Sequence, residues 1–360
     1  MNTFTLITNG YIQNPGREKV RGNVLVHKGK IVDITEDIPS NAKCIDAQGC
    51  IITPGLIDQH IHGGYDCDFN TADVDTIVKF LTQLPKHGIT AICPTIMTDT
   101  PDNIKTQISN IIQAKAKLPE NAAKIIGINL EGPFINPKYK GAHAKELTLT
   151  PTVQNYQQIE SDEIKIITIA PELDKNLELT NYLKDKGVII SVGHSAAENL
   201  HGLKHVTHIF NAMEPLHHRN PGIIREALIS DDVYVEVIAD HNHLHPDIIK
   251  LILRTKPASK VIFISDCLAT TPITIKKGDA AINEQGNLIG SLIFLDSVIR
   301  KNAGMVDFKD LLMYCSSNPA ENLGLKHAGR IEKGMDADIV LWDEATLMVK
   351  AAFVNGNCVC

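Results

Sequence analysis

The feature that most constrains this chain is a unit repeated between about Asp58 and Cys267, in which a short β-branched run ending in polar residues precedes a segment with helical spacing. Eight such runs can be read, over 56–62, 89–96, 125–132, 164–172, 188–195, 205–212, 233–240 and 260–267. Near-continuous apolar strands alternating with helices demand a parallel sheet covered on its faces. Eight of them favour closure into a (β/α)8 TIM-type barrel, an α/β fold, over an open doubly wound sheet. No glycine-rich phosphate fingerprint supports the open alternative.

The flanks read differently. Residues 1–52 carry short strands with turn signals at Asn9-Gly10, Lys28-Gly29-Lys30 and Gln48-Gly49, and the tail 329–360 has similar composition with a hairpin signal at Asn355-Gly356. Termini often lie close together. The expectation is a small β-sandwich domain built from 1–52 plus 329–360, interrupted by a catalytic barrel over 53–328.

With 360 residues and 43% hydrophobic content the chain can bury a sizeable core. Its formal charge, 35 minus 42 or −7, comes without a basic block, which argues against nucleic-acid or acidic-membrane partners. An anionic substrate would therefore need a local positive pocket. Eight cysteines are scattered without a repeated Cys-x-x-Cys, and the start lacks a charged leader and a long apolar stretch, so a reduced cytoplasmic protein is expected. No run approaches the roughly 18 apolar residues of a membrane span.

Barrel enzymes place their chemistry at the carboxyl ends of the strands. Here the first run ends in His60 and His62, the third in Glu131, the fifth in His194, the sixth in His208 and the eighth in Asp266. Side chains two apart on a strand share a face, so the imidazoles of His60 and His62 can converge on one ion. Taken singly, each residue has a bland reading. Glu131 suits a helix N-terminus, His194 and His208 suit a barrel rim, and Asp266 suits an N-cap. Gathered at one end of a barrel, four imidazoles and a carboxylate can hold one or two divalent ions, with a further carboxylate left for proton transfer.

Five blocks carry a resemblance. They are Pro-Gly-Leu-Ile-Asp-Gln-His-Ile-His-Gly (54–63), Leu-Glu-Gly-Pro-Phe-Ile-Asn-Pro (130–137) with Lys-Gly-Ala-His (140–143), Val-Gly-His-Ser (192–195), Thr-His-Ile-Phe-Asn-Ala-Met (207–213) and Ile-Ser-Asp (264–266). In this order, over almost the whole chain, they resemble the N-acetylglucosamine-6-phosphate deacetylases of the amidohydrolase superfamily. The resemblance implies a metal-dependent hydrolase that converts N-acetylglucosamine 6-phosphate to glucosamine 6-phosphate and acetate. It also implies that Glu131, His194 and His208 hold a principal metal, that His60 and His62 hold a second, and that Asp266 is the catalytic acid/base. A divalent ion lowers the pKa of a coordinated water toward 7. By the same resemblance Ala142, His143, Asn211, Ala212, Arg219, His243 and the loop Leu288-Ile289-Gly290 match substrate contacts. Arg219 would be a guanidinium fork for phosphate, and a homodimer is implied, in which such a residue can serve the neighbouring subunit. The metal could be zinc, iron or manganese, since His/Glu sites accept each according to availability.

The pattern is broken in places. His194 and His208 are only 14 residues apart, which leaves Ala196 to Leu203 as roughly two helical turns. The 267–290 stretch is compressed, and Ile289 replaces a small residue. Asn129 stands where the family usually has histidine, and Asp240-His241-Asn242-His243 adds an imidazole, His241, whose role as ligand, phosphate contact or bystander stays open. Two alternatives follow: an amidohydrolase acting on another N-acyl hexosamine phosphate or amide, and an impaired barrel with a binding or regulatory role. A cyclic-amide hydrolase with a carbamylated lysine fits poorly, because the fourth run ends in Ala170-Pro171-Glu172 without a lysine.

Overall fold

The computed structural model describes residues 4–37, 39, 42–270 and 275–359. The β-branched runs form eight parallel barrel strands: Leu56–Ile61, Ile89–Met97, Ile128–Glu131, Ile164–Ile169, Ile189–Val192, His205–Val206, Tyr234–Ile238 and Val261–Ile264. Each neighbouring pair is parallel, and Lys124–Ile125 adds a short piece beside the second strand. The first and eighth strands meet where the Asp266 N–H donates to the His60 carbonyl at 3.0 Å and the Ser265 N–H donates to the Asp58 carboxylate at 3.3 Å. Barrel and surrounding helices share one apolar core that includes Ile77, Phe80, Ile104, Ile167, Val235 and Phe263.

Amphipathic helices fill most crossovers. Val74–Gln83 starts where Asp73 accepts from the Thr76 N–H and buries Ile77, Phe80 and Leu81. Pro101–Lys117 starts where Thr100 accepts from the Asn103 N–H, with proline in its first turn. The fifth crossover corrects an expectation, because Ala196 to Leu203 contains no helix. Positive φ at His201 (50°) and Gly202 (75°) breaks any helical run, while Ala197, Leu200 and Leu203 are buried as separate anchors. The Glu226 carboxylate takes the Leu200 N–H at 2.9 Å, doing the work of a helical acceptor. The sixth run is also shorter than expected: beyond Val206 the chain turns through positive φ at His208, Phe210 and Ala212.

Both ends of the chain share a second, mostly antiparallel eight-stranded sheet. Ile51–Pro54 joins its halves, running parallel to Phe4–Ile12 and antiparallel to Ile339–Trp342. Its own apolar cluster includes Ile7, Val24, Ile52, Ile339 and Phe353. Lys28-Gly29 and Asn355-Gly356 are hairpin turns with paired positive φ, as their sequences require. Asn9-Gly10 is not a turn. It is a bulge inside Phe4–Ile12, where a Cβ on Gly10 would stand 2.5 Å from Ile52 Cδ1.

After the eighth strand, Ile275–Lys277, Ala280–Ile282 and Leu288–Ser291 form a small antiparallel sheet over the barrel mouth. Of the compressed 267–290 stretch, residues 271–274 lie outside the described residues, as do 1–3 and 360 of the terminal segments. Among the described residues no helix is long and apolar enough to cross a membrane.

Candidate metal centre and cleft

His60 lies within the first strand and Glu131 ends the third, while His62, His194, His208 and Asp266 follow one or two residues past their strands. His194 (φ 48°), His208 (φ 23°) and Asp266 (φ 49°) have left-handed backbones, a conformation that costs energy in non-glycine residues and clusters at functional sites. The result is convergence. Glu131 Oε1 stands 3.0 Å from His194 Nε2 and 2.6 Å from His208 Nε2, and Glu131 Oε2 stands 3.2 Å from His62 Nε2. Asp266 Oδ1 is 3.1 Å from His62 Nε2 and 3.4 Å from His60 Nε2. Two triplets, His60/His62/Glu131 and Glu131/His194/His208, have ligand atoms within 4.8 Å of one another and share Glu131.

Hydrogen bonds behind these residues fix how their rings present themselves. His194 Nδ1 lies 2.8 Å from the Tyr139 carbonyl, which can only accept, so Nδ1 carries the proton and Nε2 faces the centre with a lone pair. His60 Nδ1 lies 3.0 Å from Glu236 Oε2 and is held the same way. The opposed Nε2 atoms of His60 and His62 are 3.3 Å apart, and those of His194 and His208 are 3.2 Å apart. Buried ring nitrogens facing each other across such gaps, with a carboxylate between them, are a donor set for a divalent cation, which would replace any proton they carry. His143 differs. Its Nδ1 accepts from the Thr98 N–H, so its Nε2–H points at Glu131 Oε2, 3.2 Å away, and orients that carboxylate.

The electrostatics agree. Burial pushes His194 down to about 4, which leaves it neutral with a free lone pair. Burial also opposes charge on His62, but hydrogen bonds to Asp266 and Glu131 outweigh it and raise the ring to about 9, a measure of how strongly the two carboxylates favour a cation beside them. Burial alone would raise Asp266, yet its hydrogen bond to His62 and the nearby His60 charge hold it below the ordinary carboxylate value, ionised and able to accept a proton.

The centre opens into a cleft of about 420 Å³. Of the expected substrate contacts, Ala142, His143, Asn211, Ala212, His243, Leu288, Ile289 and Gly290 line it beside Glu131 and Asp266. Arg219 does not; it is exposed, and its guanidinium lies 2.8 Å from His218 Nε2. His241 turns away from the cleft, its Nε2 3.1 Å from the Asn302 side-chain oxygen. His243 is held by buried Asp240 at 2.8 Å. The Asn129 side chain donates to the Gln59 carbonyl at 3.0 Å.

Sequence reasoning missed Glu236, Lys138 and Lys140. Glu236 carries a signal in Tyr-Val-Glu-Val-Ile, where one carboxylate interrupts an apolar strand and so needs a buried partner. Lys138 and Lys140 line the cleft, but on the single 3-10 turn Pro137–Tyr139 and its C-cap, too short for any periodicity to reveal their direction.

A parallel barrel carrying a His/Glu/Asp cluster at the carboxyl ends of its strands defines a metal-dependent hydrolase architecture, and the family model described as the Amidohydrolase family matches residues 51–359. The chain belongs to the amidohydrolases and, within them, to the N-acetylglucosamine-6-phosphate deacetylases. The protein of that name from Bacillus subtilis (strain 168) is 34% identical over 350 residues, covering 89% of this chain and 88% of that protein. Its namesake from Danio rerio is 31% identical over 87% of this chain and 85% of its own length. A Mycobacterium smegmatis deacetylase variant solved in complex with N-acetyl-D-glucosamine-6-phosphate matches with a TM-score of 0.88 at 26% identity over 99% of each chain.

Proposed function

We propose that this chain hydrolyses the acetamide of N-acetylglucosamine 6-phosphate, giving glucosamine 6-phosphate and acetate. The single observation that carries the reading is the position of Asp266, an ionised carboxylate 3.1 Å from His62 Nε2 at the edge of two metal-ligand triplets and open to the cleft. Glu131, His194 and His208 would hold a principal divalent ion, and His60 and His62 a second with Glu131 shared. Bound there, such an ion acidifies a water and polarises the acetyl carbonyl. Asp266 takes the proton as the water oxygen adds to the acetyl carbon, then delivers it to the sugar nitrogen as the C–N bond breaks.

His243, held by Asp240, and the Leu288-Ile289-Gly290 loop would position the sugar, together with Ala142, Asn211 and Ala212 lining the same cleft. Arg219 would act on a phosphate only from a neighbouring subunit, which fits a homodimer. We further assign 53–328 to the catalytic barrel and 1–52 plus 329–360 to the β domain, supported by the shared terminal sheet. Zinc, iron and manganese all suit the donor set, and a cytoplasmic location suits cysteines that form no disulfide among the described residues.

The test is acetate release from N-acetylglucosamine 6-phosphate before and after chelation, with zinc, iron or manganese restored and unphosphorylated N-acetylglucosamine in parallel. Chelator-sensitive turnover that favours the phosphorylated sugar is the expected result. A folded, metal-loaded protein with no turnover overturns the reading.

A further inference from the structure

The interior of a (β/α)8 barrel is ordinarily packed with bulky aliphatic side chains. Beneath this metal centre it holds a carboxylate instead. Glu236, in Tyr234–Ile238, is 1% exposed, and its ion-pair partners among the described residues are the imidazoles of His60 and His205, with no lysine or arginine. A buried carboxylate without a strong cation is costly, so its retention calls for a purpose. Its oxygens are allotted separately. Oε1 accepts from Gln59 Nε2 at 2.7 Å, and Gln59 is itself oriented by the Asn322 amide, which donates to Gln59 Oε1 at 3.0 Å. Oε2 is left for His60 Nδ1, 3.0 Å away.

The other three imidazoles are backed differently. Among the described residues, His194 Nδ1 meets only a neutral carbonyl, while His62 Nδ1 and His208 Nδ1 are buried without a hydrogen-bond partner. Among the described residues His60 is the one of the four bound through Nδ1 to a carboxylate, and it belongs to the triplet that does not contain His194 and His208. A carboxylate behind a ligating imidazole fixes its tautomer and ring plane and raises its basicity.

We infer that Glu236 is a positioning residue that holds the His60 Nε2 lone pair on the second ion position, and so sets whether the chain carries one ion or two. This rests on the proposed reading of His60 and His62 as ligands. Gln59 acts one step further out, by keeping Oε1 occupied so that Oε2 faces the ring.

The experiment is a zinc titration of the metal-stripped full chain against a competing chelator, with zinc per chain counted after gel filtration and the melting temperature of each stripped protein recorded. The wild type is expected to take two equivalents. Glu236→Gln should keep one tight equivalent while the other weakens about 10- to 100-fold, with little change in the stripped melting temperature. Glu236→Asp keeps the charge but draws it back from Nδ1, so it should weaken the same equivalent by less; it carries the test if the glutamine variant does not fold. Two tight equivalents in either variant overturn the inference. Equal weakening of both sites with a lowered melting temperature also overturns it, by making Glu236 a packing residue. A single equivalent in the wild type would instead remove His60 and His62 as ligands, a distinct failure.

Discussion

Gly290 is pressed against Asp266: a Cβ added at position 290 would stand 2.9 Å from the Asp266 carbonyl oxygen and 2.7 Å from Leu268 Cγ. The Ser291 N–H donates to that same carbonyl at 2.8 Å, so the loop over the cleft and the proposed acid/base are built as one unit. Gly290 also has φ of +148°, a conformation side chains rarely adopt. Gly290→Ala is therefore expected to cost about 1–3 kcal/mol of stability and to lower kcat by up to about 100-fold through misplacement of Asp266. Urea unfolding and steady-state kinetics read the two effects. A variant unchanged in both would mean that the loop moves independently of Asp266.

Asp266→Asn removes the proposed proton acceptor and keeps the shape. Turnover is expected to fall about 10²- to 10⁴-fold, while a divalent ion added at the proposed Glu131, His194 and His208 position should still bind. Metal content measured beside kcat separates the roles. Unchanged turnover would take Asp266 out of the mechanism.

The sequence exposes the parts of this site that obey a period and hides those that depend on where a loop goes. His60, Glu131, His194, His208 and Asp266 are legible because strand ends deliver them, and the alternation of apolar runs and helices reveals the barrel before any coordinate is known. The fifth crossover deceives because Ala197, Leu200 and Leu203 have helix-like spacing, yet each is buried by the loop's own path. Asn9-Gly10 deceives because the dipeptide that makes a hairpin turn also makes a bulge when Ile52 lies close beneath it. Arg219 differs: it is exposed on its own chain, and the groups a second copy would bring beside it follow no period within one sequence.

Lys256 offers a test of electrostatics away from the site. It caps Pro246–Thr255, is 5% exposed and donates to the Ser230 carbonyl. Burial pulls its ammonium from 10.5 down to about 8. Between those values the unfolded chain holds more protons than the folded one, so stability rises as pH climbs from about 8 to 10.5, and the cost is fully present below 8. Lys256→Met should accordingly be more stable at pH 7, by about 1 kcal/mol after solvent screening, and lose that advantage toward pH 10. Urea midpoints at the two pH values decide it. A less stable variant at pH 7 would mean that the bond to Ser230 outweighs the desolvation.

Phosphate recognition can be divided between the chain's own cleft and a neighbour. Lys138 and Lys140 line the cleft, with the Lys140 ammonium donating to the His143 carbonyl at 2.9 Å, whereas Arg219 lies outside it. An ammonium on a phosphate is a charge-assisted contact, and losing one is worth about 1.5–3 kcal/mol. Lys138→Met should thus raise KM for N-acetylglucosamine 6-phosphate about tenfold or more, leave kcat intact, and leave the unphosphorylated sugar unaffected. Arg219→Met should raise the same KM only in an assembly that brings a second copy's Arg219 to the cleft, so its effect should vanish on dilution to monomer. An unchanged KM in Lys138→Met, with a concentration-dependent rise in Arg219→Met, would move phosphate recognition to the neighbouring subunit.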